Sequence, residues 1–79
     1  MQTAHVYDEI IDLIASGPSS QRVASFEPSD STKLRVRELL EREKQSLLTA
    51  DEKTELDHYE QLEHLMRLAK ARAKQFLSS

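Results

Sequence analysis

Between Ala50 and Leu77 the sequence contains neither glycine nor proline, so no residue in this stretch forces a helix to break. Turning successive residues by about 100° brings Tyr59, Leu62, Leu65, Met66, Ala69, Ala73, Phe76 and Leu77 onto one continuous arc. The pattern predicts a single helix over residues 50–77, roughly 40 Å long at about 1.5 Å per residue. Thr49-Ala50-Asp51-Glu52 marks its start, because in a Thr-x-x-Glu capping box each side chain accepts a backbone amide at the other's position. The charges are sorted along the segment. Asp51, Glu52, Glu55, Asp57, Glu60 and Glu63 occupy its first half and Arg67, Lys70, Arg72 and Lys74 its second, an order that complements the helix dipole.

A rod of this length needs cover for its apolar side. A second long helix is expected over about 30–45: Glu27-Pro28-Ser29-Asp30 resets the chain, since the residue before proline is pushed extended and Ser29 or Asp30 can cap a new helix. Thr32, Val36, Leu39, Leu40 and Leu47 gather on its narrow apolar face. The pattern breaks around Gln45–Leu48, and so short a break implies an antiparallel helical hairpin. The arms are unequal. The shorter one covers about half of the longer, leaving Met66, Ala69, Ala73 and Phe76 to the N-terminal helix, another subunit or a different protein.

That N-terminal helix is predicted over about 4–16, where Val6, Tyr7, Ile10, Ile11, Leu13 and Ile14 recur at three- and four-residue steps. Ser16-Gly17-Pro18 ends it, because glycine takes the left-handed conformation after a helix and proline disfavours helical geometry just before itself. Residues 17–29 form a connector with a helical turn that carries Val23 and Phe26 inward. The fold class expected is all-α: an antiparallel hairpin with a long C-terminal helix plus an N-terminal amphipathic helix, in one domain over 1–79.

With 79 residues such a core is small. The absence of cysteine removes disulfide staples and thiolate metal sites and fits a reducing, cytoplasmic setting. Neither a membrane-spanning run nor a secretory signal is expected from the sequence. A net charge of -3 argues against general attraction to nucleic-acid phosphates.

The stretch ELDHYEQLEH carries a Glu-x-x-His spacing at Glu55 and His58, and with Glu43 on the second helix it is the one candidate metal set. Carboxylate-bridged metal bundles need such a pair on each of two helices plus two further glutamates, so a ferritin-like dimer would have to double the set. The plainer expectation is a half-buried His58 and a Glu55 paired with an arginine of the facing helix, Arg37 being one candidate. His64 lies away from the apolar arc and is expected in water. No cofactor is expected, and no catalysis: a single glycine cannot build a phosphate cradle, and no serine sits in a nucleophile-like setting. Arg67, Lys70, Arg72 and Lys74 are the one basic cluster that would touch nucleic acid, and they spread around the helix rather than forming a stripe.

The run LLTADEKTELDHYEQLEHLMRLAKARA resembles a family of small helical bacterial proteins with a shared Leu-Thr, Glu-Leu, Gln-Leu-Glu-His-Leu-Met-Arg-Leu, Lys-Ala-Arg-Ala pattern. The resemblance covers the last half of the chain and implies an antitoxin-like or accessory partner of a toxin or small nuclease; it carries over no catalytic residue. The functional expectation is a protein–protein interaction module that self-associates, with Leu62, Leu65, Met66, Ala69, Ala73 and Phe76 as its interface. The rival expectations are the metal-binding dimer and a nucleic-acid binder using the C-terminal basic residues.

Overall fold

The structure, a computed structural model, describes residues 5–78. Four helices succeed one another: α1 (Asp8–Ala15), α2 (Ser20–Ala24), α3 (Asp30–Lys44) and α4 (Ala50–Ser78). The fold is all-α. At 29 residues α4 is about 43 Å long at the usual rise, close to the 47 Å longest dimension of the molecule. It is the keel on which α1, α2 and α3 each pack.

The helix ends are set by local chemistry. The capping box is closed at α4: the Thr49 amide donates to Glu52 Oε1 at 3.1 Å and the Glu52 amide to Thr49 Oγ1 at 3.1 Å. Ser29 caps α3 through its hydroxyl, which accepts the Thr32 amide at 3.3 Å, and Ser19 does the same for α2 with the Arg22 amide at 3.2 Å. Gly17 has φ of +64°, the left-handed geometry that ends α1. Ser46 takes φ of +59° after α3. There the Leu47 amide bonds the Arg42 carbonyl at 2.8 Å and the Ser46 amide the Glu43 carbonyl at 3.1 Å, the pair of bonds of a Schellman motif.

The N-terminal helix is shorter than its periodicity suggests. The expected start at residue 4 lies outside the described residues, and His5, Val6 and Tyr7 are not helical. Tyr7 stands at the cap position without a side-chain hydrogen bond, while Asp8 accepts the His5 amide at 2.8 Å.

Two small cores sit along α4. In the first, Val6, Leu39 and Leu56 are buried, with Val36, Leu48 and Tyr59 against them. The second buries Ile10, Leu13 and Met66 under Val23, Phe26, Tyr59 and Leu62. Val6 meets Leu56 and Leu13 meets Met66, so α1 runs in the same sense as α4. The connector does more than connect: α2 lies along the distal half of α4, with Pro18, Ser20 and Val23 beside Ala69, Ala73 and Phe76. The unequal hairpin is thus completed within the chain.

Candidate functional site

The expected interface divides in two. Met66 and Ala73 are each only 5% exposed, covered by α1 and α2, so they are core and not open surface. The inequality of the hairpin arms does not by itself demand a partner, because five residues of α2 and the C-terminal end of α1 supply the cover. Leu62 and Ala69 are half-buried. Leu65 and Phe76 are exposed, at 51% and 64%.

What remains outside is a second apolar stripe on α4, turned away from the core. Leu65 and Leu68 are both more than half exposed. They come after His58 and Gln61 at three- and four-residue steps and precede Arg72 and Phe76 at similar steps, so all six lie on one flank. The flank continues onto α1. The Tyr7 ring meets His58 edge-on, with centroids 5.6 Å apart. Tyr7, Ile11 and Ile14 share one side of α1 by their spacing, and the two helices run in the same sense. Exposed Ile11 and Ile14 therefore lie on the side of α1 that adjoins the His58–Leu65 flank of α4. Among the described residues nine large hydrophobic side chains are exposed, against seven buried apolar residues of which one is an alanine. Scattered single leucines are ordinary on a surface; an exposed run spanning two helices is less so.

Around this stripe the charges fall into two kinds. Those facing the core side are committed. Glu55, 9% exposed, accepts the buried Val6 amide at 2.9 Å and lies 4.0 Å from Arg35. Arg37, the arginine expected in that place, is exposed. Arg35, one turn before Leu39, shares the face that α3 presents to α4, and Arg37 does not. Glu52 gathers Arg35 at 3.3 Å and also Arg42; its backbone bond to Thr49, then Arg42 and Arg35, hold its carboxyl below the ordinary range against the opposing effect of burial. Arg67 forks onto Glu63 at 2.9 and 2.6 Å, which likewise lowers the Glu63 carboxyl. Lys70 donates to the Phe26 carbonyl at 2.9 Å. On the stripe side Asp57 and Arg72 are exposed, while exposed Glu60 and Lys74 fall on the same side as Arg67.

The candidate metal residues do not converge. Glu43 is exposed in the last turn of α3, Glu55 is spent on Val6 and Arg35, and His58 is exposed against Tyr7 rather than half-buried. His58 sits about 60° around the helix from Glu55, enough to turn it out of the core. Among the described residues no group of three or more His, Asp or Glu side chains is placed to hold a metal ion. Of the four C-terminal basic residues, Arg67 and Lys70 are engaged within the chain. No helix among the described residues is long and apolar enough to cross a membrane.

Leu68, Ile11 and Ile14 are absent from the interface expected from sequence. A signal for Leu68 exists, three residues after Leu65 and off the main arc, but a helix apolar on more than one side blurs a single-face reading. No family model matches this sequence, and no curated protein or solved structure shows significant similarity to it.

Proposed function

We propose that this chain is a small protein-interaction module that self-associates through the outer flank of α4, with Leu65 and Leu68 at the centre and Ile11 and Ile14 beside them. The supporting observation is the exposure of these four side chains, between 43% and 58%, on adjoining sides of two helices whose inner faces are already packed. Burying a fully exposed leucine or isoleucine stabilises an assembly by about 1.5–3 kcal/mol; side chains already half-covered offer about half that each. Several are needed together, and the stripe supplies them. An antitoxin-like or accessory role fits such a module, since binding is all that it asks of the chain.

Sedimentation of the chain and of a Leu65→Glu, Leu68→Glu variant tests the reading. Both positions are exposed, so the variant keeps its helicity. The parent is expected to sediment as a concentration-dependent assembly and the variant as a monomer. A parent that stays monomeric throughout the micromolar range, or a variant that associates equally well, contradicts it.

A further inference from the structure

We infer that the occupant of this flank is a second copy of the chain lying antiparallel, on a two-fold axis that crosses α4 between Leu65 and Leu68. The inference rests on the self-association proposed above and fixes its orientation and register.

Two features of α4 lead there. The first is the position of the exposed leucines. They lie three residues apart near the middle of the helix, so an antiparallel two-fold through their midpoint covers both, setting Leu65 against the partner's Leu68 and Leu68 against the partner's Leu65. An isologous contact of this kind closes after two copies. Four residues outward from each leucine, Gln61 then faces the partner's Arg72.

The second is the sorting of charge. On the stripe side, exposed Asp57 precedes the leucines and exposed Arg72 comes after them. Antiparallel packing brings Arg72 of one copy within about one turn of the partner's Asp57, and does so twice. Parallel in-register packing sets Asp57 against the partner's Asp57 and Arg72 against the partner's Arg72, which is repulsive at both ends. Helix dipoles favour the same choice. The internal ion pair of Lys53 with Asp57, at 3.6 Å between two exposed side chains, is of the weak surface kind and competes little.

The chain has no cysteine, so single substitutions report on orientation directly. Gln61→Cys and Arg72→Cys are made separately, at two exposed positions, and mixed in equal amounts under mild oxidation. Mass spectrometry then reads the heterodisulfide joining Cys at position 61 to Cys at position 72. In the antiparallel pair those positions face one another, whereas the two copies of position 61 are 11 residues apart along the axis, about 16 Å, beyond the roughly 7 Å that a disulfide spans between Cα atoms. The expected result is a heterodisulfide in about tenfold or greater excess over either homodisulfide. Association accompanied by homodisulfides from each variant alone overturns the antiparallel register while leaving self-association standing. Unmodified chain that sediments as a monomer removes both.

Discussion

Replacing Glu55 separates the two roles of its carboxylate. One oxygen accepts the amide of Val6, itself only 3% exposed, and the other lies 4.0 Å from Arg35. Glu55→Ala strands that amide away from water, at about 1–3 kcal/mol. It also removes one packed methylene, worth about 0.8 kcal/mol when fully buried. The sum is about 2–4 kcal/mol, against a total stability of about 4–12 kcal/mol for a chain of this size. Glu55→Gln keeps both methylenes and an oxygen that can accept the amide. It gives up the charge, and the Arg35 guanidinium is 36% exposed, so the cost is about 1 kcal/mol. Urea unfolding monitored by far-ultraviolet circular dichroism measures both, and hydrogen exchange at Val6 shows whether the amide is the group released. Equal losses in the two variants, or a loss below about 0.5 kcal/mol in Glu55→Ala, refute the assignment of Glu55 as the acceptor that fastens the start of the N-terminal helix to α4.

The same geometry sets other outcomes. Ser46→Gly relieves a left-handed serine and stabilises the fold by about 1 kcal/mol, read as a higher urea midpoint at unchanged slope. Thr49→Ala opens the capping box and costs about 1 kcal/mol, with fraying of the first turn of α4 visible by amide exchange. Met66→Glu places a charge in the second core and lowers helicity, in contrast to Leu65→Glu, which leaves it intact. The carboxyls of Glu9, Glu52 and Glu63 are all held below their ordinary value, by the Ser29 amide at 2.9 Å, by the Thr49 amide, and by Arg67. The folded chain therefore binds protons less readily than the unfolded one. The stability these groups provide is fully present above about pH 4.5 and disappears as pH falls through their lowered values, so the urea midpoint is expected to fall as the solution is acidified through that range.

The course of the backbone is largely readable because its signals are local. A proline, a serine and a capping glutamate decide where α3 and α4 begin, and each lies within a few residues of the amide it serves. Contacts made at a distance are harder. Glu55 and Val6 are 49 positions apart, and no periodicity links them. The cover over Met66 and Ala73 comes from a helix of five residues, too short for an amphipathic pattern to register. Without α2 the distal half of α4 reads as bare, with Met66 and Ala73 on an interface; with it, the open apolar surface moves to the opposite flank. The left-handed Ser46 is also hidden, since glycine is the usual sign of that geometry.

Every shorter helix leans on α4, and α4 comes last of the four in chain order. During vectorial synthesis α1, α2 and α3 leave the ribosome before the platform they pack on does. Docking of α1, α2 and α3 on that platform therefore follows the emergence of α4 and not their own.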